Sequence, residues 1–478
     1  MLSKFSLQTL KQKLWAIVAA SFVSRIIMFF VLPSIPSALA PDEGAYANLA
    51  KWISEAKSAA EFPYFGEGLY RSGRSAIIPA SALIKLGMNE LDAVRVTSSI
   101  YGFLSLCLMA YLCLKLLNLK NSKIDHGSKI ERLSVALIAI YAFLPSHFVW
   151  SNLGLRESPN EFWLIATFWG VFLLYREEQS KKVLIAALIS LGIICTFSSR
   201  PQVGWASVAT LLIYSLFKLK NKITYLLITS AITGLFAGYL ATTPQVIVTR
   251  EIYVAKDAST MPTTDLTPSN NGEIFASKLC DGQESKVEYE GNVYNCLLLG
   301  TETQNERPSN LGKVAIDKVE ALTGKQIVNQ VGAASSIERL SCPWQEATKI
   351  GKYGCLVFRA PYMTLTFLFR PLPFVDTTST SSFFAATENI MWIIMFVIVF
   401  SGISRLKRVP FFSEIVPSTI FLCLYAIGAG SYEGNMGTAF RHKSLILWIV
   451  LLLIFAASWR SQGEEQNPQG NNSQESAV

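Results

Sequence analysis

The sequence predicts an α-helical polytopic membrane protein of about ten transmembrane helices with a mixed α/β external insertion, and three observations carry that prediction. Of its 478 residues, 51% are hydrophobic and only 16% charged. The apolar residues come in long blocks, not at the three-and-four spacing of a soluble amphipathic helix. Lys and Arg gather in the short connections between blocks, as topology signals do. The formal charge of +8 therefore reads as orientation, and no nucleic-acid partner is expected.

The first apolar run, 14–33, is long enough to span and lacks a small-residue cleavage pattern after it, so it is read as an anchor and not a signal peptide. Further candidate spans fall near 95–117, 132–150, 159–175, 183–199, 203–217, 223–241, 388–404, 411–430 and 444–459. With the N-terminus inside, the clusters Lys4/Lys11/Lys13, Lys115/Lys120/Lys123/Lys129/Arg132, Arg176/Lys181/Lys182, Lys218/Lys220/Lys222, Arg405/Lys407/Arg408 and Arg460 all face the cytoplasm. Four regions are expected: a membrane module over 1–241, an external insertion over 242–387, a second membrane module over 388–460 and a disordered cytoplasmic tail over 461–478. The expected location is the inner, cytoplasmic membrane, with the working face external.

Between the first two spans the chain is too long for a tight connection. Pro41 followed by Asp42 and Glu43 is a good helix start, and Tyr46, Leu49, Ala50 and Ile53 repeat on one face. That pattern predicts an amphipathic helix on the membrane surface. The apolar piece 76–86 contains Pro79 and Lys85 and is short for a span, so a second interfacial or re-entrant helix is expected. In the insertion, 260–272 reads as linker, 286–299 as a hairpin around Glu290-Gly291-Asn292, and 311–331 as one or two amphipathic helices. The segment 358–384 is expected to lie along the membrane surface.

Cysteine usage agrees with this orientation. Cys107, Cys113, Cys195 and Cys423 fall in spans and read as small apolar fillers. Cys280, Cys296, Cys342 and Cys355 all fall in the external insertion, where disulfides persist. Sequence proximity favours the pairs Cys280–Cys296 and Cys342–Cys355 among the possible pairings.

Two acidic clusters sit where the chain leaves the apolar blocks. Asp42 and Glu43 are candidates for taking a proton from an acceptor hydroxyl at the membrane surface. Both would equally suit a helix N-terminus, whose dipole favours negative charge. Arg156-Glu157 lies in a short loop that keeps it near the bilayer. Glu157 would support the base or, with Asp42, hold a divalent cation (Mg or Mn), and Arg156 would pair with a phosphate. A solvated loop pair is the plainer alternative. Arg441-His442-Lys443 breaks the charge rule by lying outside, which fits a site for anionic phosphate or a snorkelling anchor. Arg200 and Arg370 are further external cations at the rims of spans. Arg25 is the clearly intramembrane charge, expected to face the bundle and an acid or phosphate. No GxSxG, Walker A or dinucleotide glycine fingerprint occurs, so serine hydrolysis and ATP-driven transport are poor readings.

With these residues in place, the chain resembles the GT-C superfamily of polytopic glycosyltransferases, among them bacterial relatives of protein mannosyltransferases and the aminoarabinose transferase of lipid A. The resemblance rests on Pro41-Asp42-Glu43-Gly44-Ala45-Tyr46, then Ile84-Lys85-Leu86-Gly87 and Asp92-Ala93-Val94-Arg95, then Arg156-Glu157, in that order. It implies a sugar donor linked to polyprenyl phosphate and an envelope glycan, lipid or protein acceptor. It also implies Asp42 as base, Glu43 and Glu157 in support, Tyr46 at the substrate, and Arg441 at the lipid phosphate. Arg-Glu stands here where many relatives have an Asp-led motif, and the insertion at 242–387 differs from their large terminal domain. The alternatives are a polysaccharide polymerase or ligase leaning on the arginines, and a transporter of lipid-linked oligosaccharide. A transporter should carry charges deep in several spans.

Overall fold

A computed structural model describes residues 2–32, 41–56, 73–118, 128–218, 222–242, 249–255, 286–289, 292–303, 342, 349–376, 380–433 and 436–459. The tail from 461, Arg460, Cys280, the 260–272 linker and the 311–331 helices lie outside the described residues. The chain divides into two compact units: 1–242 with 368–426 and 440–478, and 243–367 with 427–439.

The first unit opens with helix α1 (Leu2–Val31). Then come α2 (Pro41–Glu55), α3 (Arg74–Lys85), α4 (Glu90–Asn118), α5 (Ser128–Phe143), α6 (Pro145–Trp150) and α7 (Glu157–Arg176). Next are α8 (Lys182–Ser199), α9 (Pro201–Leu216) and α10 (Lys222–Thr242). Among the described residues, six stretches are long and apolar enough to cross a membrane: Leu10–Val31, Glu90–Leu117, Gln179–Ser199, Phe383–Leu406, Phe412–Ser431 and Met436–Ala457. The chain is thus a membrane-embedded helical protein. The remaining expected spans are also helical but shorter or more polar. α9 is 16 residues long, and α7 carries Asn160 and Glu161 in its first half.

One expected span is broken. The run 132–150 divides at Leu144 into α5 and α6, because Pro145 disfavours helical backbone in the residue before it; Leu144 is extended at φ −56°, ψ 121°. Pro145 then starts α6 in the first helical position, where its missing N–H costs nothing.

The helix expected at Pro41 forms as α2, but packed against protein along the apolar face that was expected to meet the membrane surface. It buries Tyr46, Leu49 and Ala50 against Ile77 and Ala80 of α3, Val94 of α4, and Leu153 and Leu155. Lys51 of α2 also pairs with Glu90 at the start of α4, 2.6 Å apart on the exposed side. The apolar piece containing Pro79 is helix α3, only 12 residues long.

In the second unit, strands β1 (Thr249–Ala255), β2 (Lys286–Tyr289) and β3 (Asn292–Thr303) form an antiparallel sheet in the order β1-β3-β2. Tyr289 pairs with Asn292, which sets the hairpin register. Helix α11 (Lys349–Phe369) carries Cys355, bonded to Cys342 with Cα atoms 5.8 Å apart. Cys107, Cys113, Cys195 and Cys423 are free.

The chain continues through α12 (Thr380–Leu406), α13 (Phe412–Tyr432), α14 (Met436–Lys443) and, after one tight turn, α15 (Leu447–Ala457). Every residue of α15 is apolar and buried, as a helix hydrophobic on all faces must be. It packs against α5 and α12 and forms the core of the first unit.

Candidate active site

The site is built where α2, α7, the α8–α9 junction and the end of α14 meet. Local sequence explains each contribution. Pro41 starts α2, so Asp42 and Glu43 occupy its first turn, where the helix dipole favours carboxylates. Glu157 holds the same place at the start of α7. Pro201 forces Arg200 into extended backbone at φ −152°, ψ 101°, ending α8 and beginning α9. Arg200 therefore sits at a break between two helices instead of on a helix face.

The two adjacent acids of α2 have opposite fates. Glu43 is fully buried and accepts two parallel hydrogen bonds from Arg95, Nε to Oε1 at 2.7 Å and Nη2 to Oε2 at 3.1 Å. Its Oε1 also accepts the Gly154 backbone N–H at 2.9 Å. Glu43 thus ties α2 to α4 and to the loop ahead of α7, a positioning role. Asp42 keeps 39% of its side chain exposed and accepts a hydrogen bond from Arg441 Nη2 at 3.1 Å.

Glu157 is buried, and its Oε1 gathers Arg200 Nη2 at 2.5 Å, Arg441 Nε at 3.0 Å and His442 Nε2 at 3.8 Å. Burial works to raise this carboxyl, but Arg441, Arg200 and Arg156 outweigh it and hold Glu157 down at about 2. It is an anion at neutral pH. Tyr46, one helical turn after Asp42, is buried, and burial raises its phenol above the ordinary value. Arg441 thus bridges an exposed carboxylate and a buried one.

The loop joining α6 to α7 is pinned along its length. Arg25 of α1 donates from Nη1 to Ser151 Oγ at 2.8 Å and to Asn152 Oδ1 at 3.4 Å. Ser99 Oγ donates to Asn152 Oδ1 and Ser98 Oγ to the Leu155 carbonyl, each at 2.8 Å. Gly154 has no room for a side chain: a Cβ would lie 2.9 Å from Val94 Cβ and 3.2 Å from Glu43 Cγ. These contacts deliver Arg156 and Glu157 in a fixed place. Arg25, expected to face the bundle and an acid or phosphate, is buried there, bonds this loop and lies within electrostatic reach of Glu161.

Two cations of the sequence-derived set lie elsewhere. Arg370 pairs with Asp376 through two hydrogen bonds. Lys443, fully buried, donates to the carbonyls of Arg370 at 2.8 Å and Leu368 at 3.4 Å and to Asn389 Oδ1 at 2.5 Å. The tripeptide Arg441-His442-Lys443 therefore divides, Arg441 and His442 facing Glu157 and Lys443 fixing the 368–370 segment.

Sequence reasoning missed two buried pairs. One is Glu43–Arg95. The other is His147–Glu161, with Nε2 and Oε2 2.9 Å apart and the His147 ring 4.5 Å from Tyr141. An acid inside the run 159–175 was the available signal for the second. Among the described residues no group of three or more His, Cys, Asp or Glu side chains could hold a metal ion. Asp42 and Glu157 already share the Arg441 guanidinium, so this donor set does not fit a divalent cation. Compared with models of known protein families and with curated proteins, the sequence matches none.

Proposed function

We propose that the chain is an integral-membrane glycosyltransferase that moves a sugar from a polyprenyl-phosphate donor to an external glycan, lipid or protein acceptor. In this reading ten spans cross the inner membrane, both termini are cytoplasmic and the site faces outward. One observation carries it: the partly exposed Asp42 and the buried anionic Glu157 are joined by Arg441, with Arg200 on the same Glu157 oxygen. A transfer from lipid phosphate needs a base open to the acceptor and fixed cations where charge develops on the leaving phosphate.

In the reaction the acceptor hydroxyl gives its proton to Asp42 as its oxygen bonds to the anomeric carbon. The bond from that carbon to the phosphate oxygen breaks, and its electron pair leaves with the lipid phosphate. Arg441, Arg200 and Arg156 supply positive charge, of which Arg offers a planar, two-pronged form suited to phosphate. Glu157 is a positioning residue, gathering Arg200 and Arg441 on one oxygen against their mutual repulsion. Attack opposite the leaving phosphate inverts the anomeric centre.

The gathering of arginines on Glu157 also favours a second reading, an envelope polysaccharide polymerase or ligase that dispenses with Asp42. The test is turnover in membranes containing the protein, using a panel of radiolabelled polyprenyl-phosphate sugars. Label moving from one donor into a glycan, lipid or protein product is expected. No transfer from any donor overturns the reading.

A further inference from the structure

Beside the acid–arginine cluster lie polar groups that the reaction above does not use. Glu157 Oε1 carries the cations, while its Oε2 is buried without a hydrogen-bond partner among the described residues. Asn160 is fully buried, and both its Oδ1 and Nδ2 are in the same condition. So is the Tyr46 hydroxyl. Buried polar groups are seldom left unsatisfied, and four such atoms in one region point to a missing partner.

Their placement is common. Asn160 follows Glu157 by three positions on α7, and residues at that spacing are neighbours on a helix surface. Tyr46 lies within electrostatic reach of Asp42, Glu157, Arg156 and Arg200. Their chemistry is mixed: an ionised carboxylate oxygen only accepts, an amide both donates and accepts, and a phenol does either. A phosphate offers acceptors alone and would meet Glu157 Oε2 and Asn160 Oδ1 as repulsion. A hydroxyl group both gives and takes, which suits all four atoms.

We infer that Asn160, Tyr46 and Glu157 Oε2 form a subsite for the neutral hydroxyl groups of the sugar, separate from the arginines that take its phosphate. This rests on the transferase reading and names Asn160 as a specificity residue within it.

The test compares purified wild type with Asn160→Leu and Tyr46→Phe, measuring Tm and binding of bare polyprenyl phosphate and of polyprenyl-phosphate glucose, mannose and galactose. Wild type should bind one hexose form about tenfold more tightly than the bare lipid. Each variant should lose that increment, keep its bare-lipid affinity and melt at the wild-type temperature or above, since an apolar group replaces an unsatisfied polar one. A Tm lowered by several degrees would mean these groups already have structural partners, and an intact sugar increment would remove them from recognition. Either result overturns the subsite. Wild type that binds bare lipid no more weakly than every hexose form overturns the subsite alone, and wild type that binds no form overturns the transferase reading with it.

Discussion

Asp42 and Glu43 are neighbours in sequence, yet one is partly exposed and the other is locked inside. A side chain's partner decides this, and Arg95 lies 52 positions from Glu43. The sequence therefore made both acids legible as candidates without separating them. Removing the charge of Glu43 would leave Arg95 buried and unpaired, which costs about 3–5 kcal/mol. Glu43→Gln should accordingly lower Tm and folded yield, as thermal melting of the purified protein would register, while the fraction that folds retains turnover well above that of an Asp42 variant. Glu157 predicts a pH dependence. Its folded pKa lies below the ordinary glutamate value of 4.5, at about 2, so the stability it contributes is complete above about pH 4.5 and is lost as pH falls toward 2. Acid melts of wild type and Glu157→Gln should converge across that window. A gap that stays constant through it would mean Glu157 is not held ionised by its arginines.

At the scale of elements, prolines were the most legible signals, because their effect is local. Pro41 starts α2, and Pro201 sets Arg200 at a helix break. Pro145 acts by the same rule, but the continuous apolar run around it concealed the break between α5 and α6. Close approach of two elements was not legible at all, since nothing near Gly154 announces Val94. Gly154→Ala should destabilise the protein by about 1–3 kcal/mol through overpacking, with part of the loss recovered in Gly154→Ala/Val94→Ala. Additive losses in the double variant would show that the clash is not with Val94. The end of α14 gives another comparison, because Arg441 meets the acids while Lys443 holds carbonyl groups of the 368–370 segment. Donor affinity, read by titration of the purified variants, should fall further in Arg441→Ala than in Lys443→Ala, and Tm should fall further in Lys443→Ala. Equal and small effects on donor affinity would leave Arg441 as a structural tie between Asp42 and Glu157.

Across the whole molecule, the class of protein was plain in the apolar blocks, and Cys342–Cys355 was legible because its halves are close in sequence. The site was legible only as separate fragments: Arg441 stood out by violating the charge rule, but its contact with Asp42 spans 399 positions and exists only in the fold. Orientation is testable on intact cells, where a membrane-impermeant thiol reagent should label Cys342, the less buried half of the disulfide, after reduction. Labelling that requires opening the membrane would reverse the orientation and the side on which the site works. Whether these distant helix ends make one transfer site with Asp42 as its base is tested most directly by turnover of purified Asp42→Asn at saturating donor. The substitution keeps the shape of the side chain but removes its basicity, so turnover should fall at least about a hundredfold while donor binding and Tm stay near wild type. Turnover near the wild-type rate would contradict this, removing Asp42 as base and favouring the arginine-based polymerase.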